Sequence, residues 1–237
     1  MQGAPGALQK SLHDDPACWY NAAMKTRYCL AFASAALALL CGCSSLYYGT
    51  MEKFGYEKRD ILVKRVGQAR EAQEDTRKTF KNALEQFGSV VAYDGGDLQS
   101  QYGKMSAQLE RCEARAEEVK ASVDAIERVS EDLFREWAQE IRQYANPAFK
   151  RDSEAKLRET RRTYDGMLLA MRNAESKIQP VLVVFRDQTL YLKHNLNAKA
   201  LAALQGETRK VETNVNALLA DLSAAIAEAD KFIGAMK

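Results

Sequence analysis

The sequence predicts an all-α protein: an elongated, antiparallel four-helix, coiled-coil-like bundle. Three observations predict it. Charged residues make up 28% of the chain and Pro occurs only four times in 237 residues, a balance that favours long helices. Beyond residue 57, apolar side chains recur at alternating spacings of four and three, the period of a helical seam. The interruptions of that pattern carry Gly, Asp, Asn or Pro, which end and restart helices.

The first helix is expected over about 57–91. Its seam is Leu62, Val66, Ala69, Gln73, Thr76, Phe80, Ala83, Phe87 and Val91. Two of those positions are polar. The charged run Glu57-Lys58-Arg59-Asp60 reads as a solvated first turn, with a docking face close to a membrane as the alternative. Asp94-Gly95-Gly96-Asp97 breaks the helix: Gly supplies positive φ and Asp97 can cap the next N-terminus.

The second helix is expected over about 98–145. Leu98, Tyr102, Met105, Leu109, Cys112, Ala116, Val119, Val123 and Ile126 keep the spacing without a miss. Past Ile126 it slips, through Val129, Leu133, Trp137, Ile141 and Tyr144, and such a slip changes the supercoil locally. Asn146-Pro147 is a cap followed by Pro at the first helical position, where a missing N–H costs nothing.

The third helix is expected over about 147–194, carrying Leu157, Thr160, Tyr164, Met167, Met171, Ala174, Ile178, Val181, Phe185 and Leu192, with Leu196 continuing the stripe. Pro180 cannot donate to the Ser176 carbonyl and its ring crowds that carbonyl, so a kink is expected. Val181–Phe185 is strand-like in isolation but continues the stripe, so it is read as helix. A turn at Asn195–Asn197 precedes the last helix, about 198–236, with Leu201, Leu204, Thr208, Val211, Val215, Leu218, Leu222, Ile226, Ala229, Phe232 and Met236 on its seam. Short turns between long helices make the neighbours antiparallel; the alternative is pairing of some helices between protomers.

The N-terminal stretch has a different character. Met24 is followed by Lys25 and Arg27, then an uncharged apolar run from Tyr28 to Leu40, then Cys41-Gly42-Cys43. A basic start, a short apolar run and a small residue before the cut describe a secretory signal. The run is short for a transmembrane helix, which needs about 20 apolar residues. Leu40, Gly42 and Cys43 resemble a bacterial lipobox, in which the Cys43 thiol would take a diacylglycerol, cleavage would follow Gly42 and the new amino group would be acylated. The domain reading is therefore 1–23 as an over-extended gene start, 24–42 as signal peptide, 43–50 as a lipidated tether and 51–237 as the helical bundle. An uncleaved signal anchor, and a long n-region starting at Met1, are the competing readings.

With 34 Lys+Arg and 32 Asp+Glu, net charge is +2, and no long run of one sign suggests capture of nucleic acid. Of five cysteines, only Cys43 and Cys112 lie beyond the leader. With Cys43 lipidated, no intrachain disulfide can form. Catalytic chemistry is poorly served. After the leader there is one histidine, His194, read as a helix-end residue interacting with terminal carbonyls. The Glu-x-x-His pairs of a di-iron bundle, clustered zinc ligands and glycine-rich phosphate loops are missing from the sequence. Cys112 reads as a buried seam thiol, not a nucleophile. Arg158, Arg161 and Arg162 form a basic edge blunted by Glu154 and Glu159, read as a solvated face.

Several stretches together resemble a family of proteobacterial lipoproteins catalogued as domain of unknown function 2959. They are the lipobox, Tyr56-Glu57-Lys58-Arg59-Asp60-Ile61-Leu62-Val63, Gln179-Pro180-Val181-Leu182 with Phe185-Arg186-Asp187-Gln188, and Leu192-Lys193-His194-Asn195-Leu196-Asn197-Ala198. The resemblance implies an envelope location and a helical fold. It brings no activity and no active-site residues.

The expected function is that of a non-enzymatic, membrane-anchored envelope lipoprotein acting as a coiled-coil scaffold or adaptor. Its partners would be membrane lipid, through acylated Cys43, and an envelope protein or a second copy. No cofactor, metal, nucleic acid or small-molecule substrate is expected. Ser44 after the modified cysteine suggests the outer membrane, facing the periplasm, under the usual Gram-negative sorting rule. A membrane-remodelling helical protein, motivated by Pro180 and Val181–Phe185, is the alternative, and an enzyme is third.

Overall fold

A computed structural model describes residues 58–236, which fall within one compact unit. The expectations for 1–23, the signal at 24–42, Cys43 and the tether at 43–50 lie outside the described residues. So does Glu57, the expected first residue of the first helix.

Four helices make up the described chain: α1 (Lys58–Val91), α2 (Leu98–Ile141), α3 (Pro147–His194) and α4 (Ala198–Met236). Each packs beside its sequence neighbours, and α1 packs beside α4, so the four close into a ring of adjacent pairs. This is the expected antiparallel four-helix bundle. With 48 residues, α3 is ~72 Å long at 1.5 Å per residue, so the bundle is elongated.

The caps form as their residues dictate, but the positive φ expected of glycine in the α1–α2 turn does not occur. Neither Gly95 nor Gly96 is left-handed, and the chain leaves α1 through a tightened turn with Tyr93 N–H on Val90 O at 3.2 Å. Asp97 caps α2, its carboxylate accepting from the Ser100 N–H at 3.0 Å. Gly95 lies against the Tyr93 phenol, where a Cβ would come within 2.5 Å of the hydroxyl oxygen. Asn146 caps α3 through the Ala148 N–H at 2.9 Å, with Pro147 at the first helical position. Asn197 caps α4 through the Ala200 N–H at 3.0 Å.

The α2 boundary differs from expectation: the helix stops at Ile141, not near residue 145. Pro147 forces Asn146 out of helical geometry, to ψ 116°. The chain reaches that conformation through a tightened last turn, with Gln143 N–H on Glu140 O at 2.9 Å and Tyr144 N–H on Ile141 O at 3.4 Å. Tyr144, expected on the seam, therefore lies beyond the helix and is exposed. Leu196 likewise falls in the α3–α4 turn and is exposed.

The core follows the expected stripes closely. On α1 the whole seam is buried, including polar Gln73 and Thr76, and burial continues through both Val90 and Val91. The Thr76 hydroxyl is satisfied by the Ala72 carbonyl at 2.7 Å. On α2 the slip after Ile126 is real but runs differently: Val129, Ser130, Phe134 and Ile141 turn inward, while Leu133 and Trp137 are half-buried. The aromatic cluster explains the choice. Phe134 meets the Tyr164 ring edge-on at 5.2 Å, and Tyr164 meets Phe232 at 6.2 Å, so α2, α3 and α4 share aromatic contacts of a preferred geometry. Tyr102, Leu109, Leu157 and Thr160 are half-buried as well, and on α4 Ala225 takes the core place expected of Ile226.

The helix α3 runs through Pro180 as one element, and Val181–Phe185 is helical as expected. Pro180 and Ser176 are both exposed, so the carbonyl that loses its partner lies on the solvent side, where water can replace it. None of the described helices is long and apolar enough to cross a membrane.

Candidate functional site

The residues singled out from sequence do not converge. Cys43 lies outside the described residues. Cys112 sits on α2, fully buried, its thiol pushed up to about 12 by burial first and by the Glu113 charge second. A thiol so placed stays protonated and inert. His194 is the last residue of α3, exposed, with Lys193 beside it in the final turn, where positive charge meets the negative end of the helix dipole. Arg158, Arg161 and Arg162 are exposed on α3, and the Arg161 guanidinium stands 5.2 Å from the Phe134 ring centre. Among the described residues no group of three or more His, Cys, Asp and Glu could hold a metal ion.

The polar features that join helices were not apparent from sequence. Arg172 on α3 reaches Asp124 on α2 at 2.6 Å and Glu127 through Nε at 3.2 Å, and also pairs with Glu175 one turn along its own helix. These carboxylates hold the guanidinium charged and raise its pKa further, while the hydrogen bond from Arg172 lowers that of Asp124. Arg186 pairs with Glu113 across the same two helices, its Nε 3.2 Å from Oε1. Lys177 pairs with Asp221 between α3 and α4, and Arg70 with Asp230 between α1 and α4 at 2.7 Å. The only sequence signal for these was the i,i+3 pair Arg172–Glu175. The interhelical partners depend on the register of packing.

Openings are small or shallow where the helices meet. One, lined by Ala83, Phe87, Met105, Phe185 and Thr189, holds about 10 Å³, room for about one water. Another is an open surface groove of about 390 Å³ between α2 and α3, bordered by Glu113, Glu117, Gln179 and Arg186. Its charged walls are already paired through Glu113 and Arg186. Chemically, the described residues present interhelical ion pairs around an apolar core rather than a converging set of nucleophile, base and oxyanion donors.

These features define a helical-bundle protein whose apolar seams face one another and whose polar clusters lock neighbouring helices. The chain belongs to the family described as "Protein of unknown function (DUF2959)", matched over residues 47–236. No curated protein and no solved structure matches it. Of the stretches that carried the resemblance, the lipobox precedes the matched residues and lies outside the described ones, as do Tyr56 and Glu57; Lys58–Val63 opens α1, and the others lie in the second half of α3 and at the α3–α4 turn.

Proposed function

We propose that the protein is a non-enzymatic envelope lipoprotein, held to the membrane by lipid on Cys43, whose bundle serves as a scaffold or adaptor for another envelope component. The observation that carries this reading is a long helical bundle, with its seams closed on each other, beginning shortly after a lipobox-like motif. Cys43 and Lys58 are about 15 residues apart, a span of at most ~50 Å. Lys58 pairs with Glu136 near the end of α2, so α1 begins at the end of the bundle that carries the α2–α3 turn. That turn exposes Tyr144 and Phe149, the latter 63% exposed, beside Arg142, Lys150 and Arg151. Aromatic rings flanked by cations suit a membrane interface, which supports this end facing the lipid. An outer-membrane, periplasm-facing location is part of the same proposal.

The test compares the unsubstituted chain with Cys43→Ala. Lipid labelling should be lost and the protein should leave the mature lipoprotein fraction. Mild crosslinking of the unsubstituted chain in cells should recover a specific envelope partner. A Cys43→Ala chain that fractionates and co-purifies like the unsubstituted one removes the anchor reading; recovery of no partner removes the adaptor reading. Insertion of helices into the membrane, the alternative, requires Val181, Leu182 and Phe185 to leave the core in which they are buried. Leakage from liposomes on adding the chain would favour it.

A further inference from the structure

The outer face of α3 carries apolar residues where a solvated bundle helix has no use for them. Its core positions repeat as Tyr164, Met167, Met171, Ala174, Ile178, Val181, Phe185 and Leu192. Counted from that seam, Leu169, Ser176, Val183 and Leu190 are successive occupants of the heptad position farthest from the core. Leu169 is 63% exposed, Val183 48% and Leu190 52%. Single exposed leucines need no explanation. Three large apolar residues on one heptad position, with a small Ser between them, form a second seam without a partner.

We propose that this face pairs with the same face of a second copy, antiparallel, about a two-fold axis passing between Gln179 and Pro180. That axis brings Leu169 to the level of the partner's Leu190, and Ser176 to the level of the partner's Val183. The seam is then self-complementary, as an isologous interface must be.

Charge selects the antiparallel arrangement over the parallel one. On one flank of the seam, Asp165 comes beside the partner's Lys193; on the other, Asn173 comes beside the partner's Asp187. A parallel pair would hold Asp165 and the partner's Lys193 ~42 Å apart along the helix axis, so the two could not meet. Arg172 faces the partner's Arg186, but each is already neutralised within its own protomer, by Asp124, Glu127 and Glu175 and by Glu113 respectively. Asp165 and Lys193 make no ion pair among the described residues, which leaves both open to a partner. From Asp165 to Lys193 the contact is ~43 Å long at 1.5 Å per residue. One helix face of that length sits at the small end of specific interfaces, so the association is weak and exchangeable. It concerns the bundle alone and stands whether or not Cys43 carries lipid.

The test uses the full chain in excess detergent, followed by sedimentation at low salt. Self-association should rise with concentration. Asp165→Lys and Lys193→Asp should each weaken it at least ~fivefold, and the double variant D165K/K193D should restore it to within ~twofold, because the swapped pair re-forms across the axis. Circular dichroism of each variant controls for folding; all the substituted side chains are exposed. Mixing Leu169→Cys chains with Leu190→Cys chains should give mixed disulfides above the background from the native cysteines. A chain that stays monomeric overturns the proposal. So does association indifferent to the three charge variants, a double variant no better than either single one, or crosslinking of Leu169→Cys chains chiefly to themselves.

Discussion

The Tyr164 hydroxyl lies 2.6 Å from Ser130 Oγ, and Ser130 Oγ lies 2.9 Å from the Glu127 carbonyl, all at the buried α2–α3 boundary. Ser130 has one proton to give. Both contacts are satisfied when Tyr164 donates to Ser130 and Ser130 donates to Glu127. Burial raises the pKa of Tyr164, which keeps it a donor. The relay makes the two ends unequal. Tyr164→Phe leaves Ser130 with its carbonyl and should cost about 0.5–1.5 kcal/mol. Ser130→Ala strands a buried phenol and should cost about 1–3 kcal/mol. Urea unfolding of both single variants and of the double variant checks this: the double should cost less than the sum.

Gln73 is fully buried on α1 and neither amide atom has a hydrogen-bond partner. A stranded polar group in a seam lowers stability. Gln73→Leu should stabilise the bundle by about 1–3 kcal/mol, raising Tm by about 2–4 °C per kcal/mol. A fall in Tm would mean that Gln73 contributes something the apolar residue cannot, such as fixing the register of α1 against its neighbours.

Acid should loosen the α2–α3 contact. The hydrogen bond from Arg172 holds the Asp124 carboxyl below its ordinary 3.8. A carboxylate whose folded pKa is depressed contributes stability that is present above its unfolded pKa and is lost as pH falls through the folded one. Stability measured in urea should therefore decline as pH drops below about 4, and Arg172→Met should flatten that decline while lowering stability at pH 7. Equal slopes for the two proteins would break the link to Arg172.

Cys112 should report global opening. With its thiol pushed up to about 12 and the side chain fully buried, iodoacetamide at pH 8 should leave it unmodified in the folded chain. Peptide mapping should find modification appearing through the urea transition, in step with loss of helical circular dichroism. Rapid labelling without denaturant would show that α2 opens locally.

Most of the architecture was legible because seam spacing and cap chemistry are local. Gln73 and Thr76 look wrong for a core by polarity, yet spacing placed them there and the structure buries both. Where two adjacent positions compete, spacing loses its power. Phe134 wins over Leu133 because Tyr164 and Phe232 wait opposite, and Ala225 takes the place expected of Ile226. The end of α2 was missed because Tyr144 continues the apolar rhythm, while Pro147 dictates the backbone before it. The polar clusters were illegible for a different reason. Arg172 finds Asp124 and Glu127 only once α2 and α3 are docked, and no spacing along one helix encodes a distance between two. Pro180 was legible as an anomaly, but its exposure, and so its low cost, depends on which way α3 faces.

The Arg59 guanidinium donates to the Met236 carbonyl, joining the first turn of α1 to the last turn of α4. Where the described chain begins and where it ends are thus the same place. The ring of helices has no privileged opening: a linker from 236 to 58, with new termini cut at Gly95 or Asn195, would trace the same bundle in a different order. The present order has one effect that the permuted ones would lose. It sets the N-terminus of the first described helix at the end of the bundle that bears Tyr144 and Phe149, with the Tyr93–Asp97 and Asn195–Asn197 turns at the opposite pole.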